Sequence, residues 1–253
     1  MKPSGMKQPE TLLPFDWSLP RGVSAAFTTR VGGMSQPPWD SFNLGAHVGD
    51  APAHVADNRA RLRELLELPG EPAWLNQVHG AAVAEIDARF DAPVTADASV
   101  TSAAGKACVI MVADCLPVLF ASRDGRRIGA AHAGWRGLAA GVLENTVAAL
   151  GVAPGELTAW LGPAILQANF EVGPDVRDAF VGGDAGAARY FLPNPRGRWQ
   201  ADLVGLARRR LGTLGVNDVG GGEWCTVADP RRFFSHRRDG KGGRMAALIW
   251  KGA

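Results

Sequence analysis

A chain of 253 residues, 46% hydrophobic and 21% charged, has the balance of a globular enzyme with a sizeable core, which excludes a disordered or collagen-like polymer despite 32 glycines. The net charge is +2 at pH 7, with Lys and Arg scattered except at Arg208–Arg210 and Arg237–Arg238, so the charge balance calls for no nucleic-acid partner. Three cysteines, Cys108, Cys115 and Cys225, are too few and too irregular for a disulfide framework, and no run of about 18 apolar residues offers a membrane span, so the expectation is a cytoplasmic protein.

Residues 1–20, rich in Pro and polar side chains, are expected as a flexible tail, and 21–253 as a single domain. Val23–Thr29 reads as a strand. It runs into Arg30-Val-Gly-Gly-Met-Ser-Gln-Pro-Pro-Trp39 and Asn43-Leu-Gly-Ala-His47, a long loop dense in turn formers and of a length that is often functional. From Pro52, Val55, Arg59, Leu62, Leu65 and Leu66 recur at helical spacing until Pro69-Gly70 stops them. Trp74–Val78 and Ala82–Ile86 read as short strands flanking His79-Gly80. Ala107–Ala113, Pro117–Ala121 and Arg127–Ala131 form a strand-rich centre too apolar to face water on both sides. Leu138, Val142, Val147 and Leu150 mark a helix closed by Gly151, followed by a strand at Leu157–Leu161. A helix over Asp202–Leu214 turns Leu203, Leu206, Leu211 and Leu214 inward, and Met245–Trp250 is a last buried strand. Strands cluster between helices instead of alternating with them, which predicts an α+β fold with mixed sheets and not a doubly wound parallel sheet.

Three residues stand where apolar runs give way to small or polar ones: His79 before Gly80, Cys115 between Asp114 and Leu116-Pro117, and His132 before Ala133-Gly134. Sites form at such strand ends. With 35 and 16 residues between them, no local loop gathers the three, so a shared site requires three chain segments to converge. Two chemistries use such a trio. Two imidazoles and one thiolate bind zinc and leave its fourth tetrahedral position open for a water whose pKa falls to about 7. Without metal, Cys115 is a nucleophile with a histidine as its base. By spacing alone, a packed cysteine and hydrogen-bonded core histidines are the more economical reading, because scattered Cys and His match ligand patterns easily. Cys108 and Cys225 read as packing residues, and His47, His54 and His236 as loop or helix-start residues.

Arg30, Arg136 and Arg237 lie among small residues that let a ligand approach the backbone. Gly134–Gly137 precedes the helix near Leu138, so its amides and Arg136 are placed to receive an anion, with phosphate the natural candidate. Taken singly, each arginine is equally a surface residue paired with a carboxylate. Asp114, beside Cys115, either orients a histidine, contacts substrate or caps a turn. Asn43 and Gln77 are amides suited to a base or ribose edge, Asn43 ranking first, although Asn before Leu-Gly is equally a turn residue.

Thr29-Arg-Val-Gly-Gly-Met-Ser35, Ser41-Phe-Asn-Leu-Gly45, His47-Val-Gly-Asp50, Asn76-Gln-Val-His-Gly80, Ala113-Asp-Cys-Leu-Pro117, His132-Ala-Gly-Trp-Arg-Gly137, Phe170-Glu-Val-Gly173 and Phe234-Ser-His-Arg-Arg-Asp239 follow one another in order along the chain. Together they resemble the laccase-domain or polyphenol-oxidase family, also called the peptidoglycan editing factor family, now regarded as purine nucleoside phosphorylases. The resemblance implies a single-domain layered α/β sandwich, similar to the cysteine-hydrolase-like fold of deamidating toxins. It also implies a zinc ion held by His79, Cys115 and His132 with an open position, which displaces the core-packing reading of the trio. The implied reactions are phosphorolysis of adenosine, inosine and methylthioadenosine to free base and (methylthio)ribose 1-phosphate, and deamination of adenosine. Asp114 enters as a catalytic residue beside the three ligands, and Arg30, Asn43 and Arg136 as substrate or phosphate contacts. Copper, which the laccase label invokes, is an alternative occupant of the same ligands, yet one thiolate and two imidazoles among only five histidines cannot build a multicopper array. The implied partners are purine nucleosides and phosphate, without nucleic acid or membrane, for a monomer or weak homodimer. The competing functions are a cysteine hydrolase or amidase editing peptidoglycan precursors, with Cys115 unmetallated, and a binding protein without turnover.

Overall fold

The longest apolar segments become strands buried on both faces, and alternation along each strand decides which core a side chain enters. The structure is a computed structural model and describes residues 11–14, 16–87 and 93–252. Its first half contains β1 (Val23–Phe27), α1 (Pro52–Leu65), β2 (Val83–Glu85), β3 (Ala98–Thr101), β4 (Ala107–Val112), β5 (Leu116–Ser122) and β6 (Ile128–Ala133). Then come α2 (Trp135–Ala139), α3 (Val142–Leu150), β7 (Leu157–Leu161), β8 (Glu171–Val172), α4 (Pro174–Val181), β9 (Phe191–Pro193) and β10 (Trp199–Ala201). The chain closes with α5 (Leu203–Leu214), β11 (Asp218–Gly221), α6 (His236–Asp239) and β12 (Met245–Lys251).

Six strands form a mixed sheet in the order β11-β7-β5-β6-β3-β2, antiparallel at the centre and parallel in the edge pairs β11–β7 and β2–β3. A second, antiparallel sheet has the order β1-β12-β4, and a small third sheet the order β8-β10-β9. In β5, Leu116, Val118 and Phe120 enter a core shared with Leu143 and Val147 of α3 and Leu206 and Leu211 of α5. Leu119 and Ala121, pointing the other way, meet Phe27, Ile110 and Ala247 of the three-stranded sheet. The outer face of that sheet, Val109, Met111, Ala246 and Leu248, packs on Leu62 of α1 with Phe42, Leu44 and Trp74. The result is a four-layer α/β/β/α sandwich, a single α+β domain with mixed sheets. Because the core strands are covered on both sides, they read as unbroken apolar runs, and each fully buried Leu or Phe stabilises the fold by about 1.5–3 kcal/mol.

Four expectations are modified. Trp74–Val78 is not a strand: it makes isolated bridges at Ala73–Cys108 and Asn76–Thr95, and the Gln77 amide substitutes for backbone pairing, its Nε2 donating to Met111 O at 2.9 Å and its Oε1 accepting from Met111 N at 2.8 Å. The helix expected from Leu138 to Leu150 is broken into α2 and α3 at Gly141, whose φ of 92° no other residue adopts without strain. Sequence periodicity missed β3, α4, β11, α6 and the small sheet, whose strands are only two or three residues long. Finally, the flexibility expected of residues 1–20 does not extend to Thr11–Leu13. There Thr11 and Leu13 are buried and Leu13 N donates to Phe27 O at 2.9 Å; residues 1–10 lie outside the described residues.

Candidate metal centre

The antiparallel pairing of β5 and β6 opposes Leu116 to Ala133 and Pro117 to His132. Extending that ladder by one residue sets Cys115 against Gly134, and a Cβ on Gly134 would lie 2.9 Å from Cys115 Sγ and 3.2 Å from His79 Cδ2. Only a glycine leaves room there. His79 reaches the same point from the loop after Gln77, in a left-handed conformation with φ 63°. The ligand atoms of His79, Cys115 and His132 all lie within 4.8 Å of one another, with Cys115 Sγ 3.9 Å from His79 Nε2. The two imidazoles stand edge to face, 4.8 Å between centroids and 69° between planes. Burial increases from exposed His79 through half-buried Cys115 to buried His132.

Zinc bonds of about 2.0–2.3 Å in tetrahedral geometry set ligand atoms about 3.3–3.6 Å apart, so small rotations of these side chains bring the trio onto one ion. The donor set, two imidazole nitrogens and one thiolate, is also chemically suited to zinc and leaves one position uncommitted. Among the described residues this is the one group of His, Cys, Asp and Glu side chains that converges in this way.

A residue that sequence reasoning missed builds the frame of the trio. Asp97, wholly buried, precedes β3 and accepts four hydrogen bonds. Oδ1 takes His132 Nδ1 at 2.8 Å and the His79 N–H at 2.9 Å, while Oδ2 takes the N–H groups of Val78 at 3.1 Å and Gly80 at 2.7 Å. The Asp97 carbonyl also accepts from His132 N at 2.7 Å. One carboxylate thereby fixes the His79 loop and the ring of His132, leaving Nε2 of His132 to face the site. The available signal was a lone Asp among the small apolar residues Ala96 and Ala98.

Electrostatics follow from this packing. Burial alone would raise the Cys115 thiol, but His132 and then His79 pull it down to about 6 from an ordinary 9.0. Burial would lower the His132 imidazole, and the Cys115 and Asp97 anions instead raise it to about 9. The Asp97 carboxyl opposes burial in the same way: its hydrogen bonds, that from His132 first, hold it below the ordinary carboxylate value.

The histidine-orienting role considered for Asp114 therefore falls to Asp97. Asp114, at φ 90°, accepts from Thr226 Oγ1 at 2.5 Å, Ser235 Oγ at 3.0 Å and Arg237 N at 2.6 Å. It anchors the start of α6 beside the Cys115 turn. Arg30 donates to Asp40 and to the Pro230 carbonyl and covers the Phe234 ring at 4.7 Å. Asn43 is fully buried, accepting from Gly45 N and Arg244 N and donating to Asp50 and the Gly45 carbonyl. Both are engaged within the protein. Arg136 is exposed just beyond Gly134, with its guanidinium over the Trp135 ring at 4.4 Å.

Residues 24–252 match the family described as multi-copper polyphenol oxidoreductase laccase. The chain belongs to this family. Among its relatives, the purine nucleoside phosphorylase PA4543 of Pseudomonas aeruginosa is 56% identical over 237 residues, 93% of this chain and 96% of that one. The purine nucleoside phosphorylase YfiH of Escherichia coli is 50% identical over 234 residues, covering 92% and 96%. The crystal structure of Neisseria meningitidis protein NMB0706 superposes with a TM-score of 0.93 at 48% identity, covering 96% of this chain and 100% of that one. Despite the family's multi-copper description, the one converging group among the described residues offers three ligand atoms and is of a size for a single ion.

Proposed function

We propose that the protein is a purine nucleoside phosphorylase whose single zinc ion is held by His79, Cys115 and His132, with copper the lesser alternative. The observation that carries this reading is the convergence of these three side chains from distant segments onto one point framed by Asp97, in a chain whose relatives bear the phosphorylase name. A zinc ion bound there supplies a Lewis acid and a water acidic enough to ionise near pH 7.

In phosphorolysis a phosphate oxygen bonds to C1′ of the ribose as the C1′–N9 bond breaks and the purine leaves with its electron pair, taking a proton. The sugar becomes cation-like on the way, so the protein must hold an anion close beneath it. The Arg136 guanidinium, exposed over the Trp135 ring, is assigned to the incoming substrate at the mouth of the site. Arg30 and Asn43 are assigned to holding the loop at the edge of the site, and Asp114 to fixing the turn that presents Cys115. Adenosine, inosine and methylthioadenosine are the proposed nucleosides. Deamination of adenosine, in which water adds at C6 and ammonia leaves, is a second reaction of the same site. Three free cysteines suit a cytoplasmic enzyme, acting on nucleosides and phosphate without nucleic acid, as a monomer or weak homodimer.

One observation favours a second reading. Cys115, His132 and Asp97 stand in the order of a nucleophile, base and orienting carboxylate, with the thiol held down to about 6, as a cysteine hydrolase or amidase requires. Incubation with adenosine, with and without phosphate, separates the two. We expect adenine and ribose 1-phosphate only with phosphate, inosine in either case, and about one zinc per chain. Metal-free protein that yields none of these products even after zinc addition refutes the phosphorylase reading.

A further inference from the structure

Among the described residues, neither Arg244 nor Arg59, in the layer beside the candidate metal centre, forms an ion pair, although Glu71 faces Arg59 and Asp114 and Cys115 face Arg244. Arg244 precedes β12, whose ladder pairs Met245 with Val112. One step further along the register sets Arg244 against Ala113, next to Asp114 and Cys115. On the other edge of β4, Gln77 clasps Met111 and leads into His79. Arg244 and His79 thus flank the end of the same strand, and Cys115 leaves it.

Arg244 is held in place from several sides. Its N–H donates to Asn43 Oδ1 at 2.9 Å, its carbonyl accepts from Leu44 N at 3.1 Å, and its stem packs so tightly on Gly45 that a Cβ there would sit 2.8 Å from Cγ. Nη1 donates to the carbonyls of Gly242 and Gly243 at 3.1 and 3.0 Å. Nε and Nη2 have no partner among the described residues, and no carboxylate lies within ion-pair distance of the group. Arg59 is the second such cation: it donates to the Leu44 carbonyl and stacks 3.8 Å above Trp74. Burial lowers the pKa of both arginines, with Cys115 and Asp114 raising that of Arg244 in part. The loop between them ends at His47, which burial, Arg244, Arg59, His79 and His132 together keep below its ordinary value. One small region therefore holds the two cations, a neutral imidazole and the metal-binding trio.

Withdrawing a cation from water without an anion is costly, and a guanidinium with two free donors beside a metal site is shaped for an oxyanion. We propose that Arg244 binds the inorganic phosphate consumed at the metal centre, through Nε and Nη2, with Arg59 as a more distant cation and His47 at the rim. This assignment rests on the phosphorylase reading for its substrate, while the anion site itself stands on the geometry.

The test uses the zinc-loaded full chain and inorganic phosphate. Calorimetry measures phosphate binding to the parent, R244Q and R244K, and phosphorolysis gives separate KM values for phosphate and adenosine. Loss of a charge-assisted pair predicts a phosphate affinity lowered about tenfold to a hundredfold in R244Q, an adenosine KM within about twofold, and partial recovery in R244K. A merely structural arginine would move both KM values or the melting temperature instead. Should R244Q fail to fold, R244K decides, because it keeps the stem on Gly45 but cannot reproduce the fork; an unchanged phosphate KM there overturns the assignment. Phosphorolysis with an unaltered phosphate KM in folded R244Q refutes the Arg244 site and leaves the proposed function standing. Phosphate binding lost in R244Q, by a parent that turns over no nucleoside, refutes the function and upholds the site. A parent that binds no phosphate refutes the site.

Discussion

Replacing Asp97 with Asn removes one charge and no volume, yet it should dismantle the frame of the metal centre. Oδ1 accepts from His132 Nδ1 and the His79 N–H, and Oδ2 from the Val78 and Gly80 N–H groups. Whichever way the new amide turns, its NH2 group meets two donors. At least two donors, buried at His132 and partly buried at Val78, His79 and Gly80, then lose their acceptor, at about 1–3 kcal/mol each, so the expected loss is about 2–6 kcal/mol. For a chain of this size that corresponds to a melting temperature lower by roughly 4–24 °C. Zinc affinity should fall a further tenfold to a hundredfold, because His132 loses the partner that orients its ring. Thermal denaturation by circular dichroism with and without chelator reads the first effect, and competition with a zinc-binding dye reads the second. A D97N protein that melts within about 1 °C of the parent and holds zinc equally well would refute the framing role. Acid supplies the same perturbation without mutation. Since the native carboxyl titrates below its ordinary value, its contribution is present above that value and is lost as pH falls through the lower native one.

Gly134→Ala should leave the fold intact but empty the site, because the new Cβ would lie 2.9 Å from Cys115 Sγ and drive the thiol off the shared centre. Elemental analysis should find zinc reduced by at least about tenfold in affinity while near-ultraviolet circular dichroism stays unchanged; full zinc occupancy at low free metal contradicts this. In metal-free protein, alkylation of Cys115 by iodoacetamide should rise with pH through about 6 and be level by pH 8, since the neighbouring imidazoles hold the thiolate there. A rate still climbing tenfold between pH 7 and 8 would show an ordinary thiol.

The four layers were legible where strands are long and covered on both faces, as in β4, β5 and β12. The convergence of His79, Cys115 and His132 was not legible from spacing, only from the flanking motifs, because the three side chains meet through sheet register that a linear chain does not display. Asp97 escaped for a related reason: a single acid at the head of a four-residue strand looks like turn chemistry until β3 is paired with β6. Asn43 and Arg30 read from the sequence as substrate or phosphate contacts, and the structure engages both within the protein; such partners lie up to 201 residues away, as for Asn43 and Arg244, beyond any local pattern. Gly141 was a visible interruption that helical periodicity on both sides concealed.

Pairing of β3 with β6, Ala98 opposite Ala131, sets where Asp97 falls relative to His132. Strand register therefore acts as the calibration of the metal site. A slip of one residue would carry the carboxylate about 3.3 Å along the sheet and turn it to the opposite face, giving a molecule with its sheets paired but blind to metal. The small residues Ala98, Ala130 and Ala131, fully buried at this seam, offer little bulk to forbid such a slip; the Asp97 carboxylate, satisfied only in the correct alignment, proofreads it. In this protein the residue that tunes the chemistry is also the one that tells the sheet where to stop.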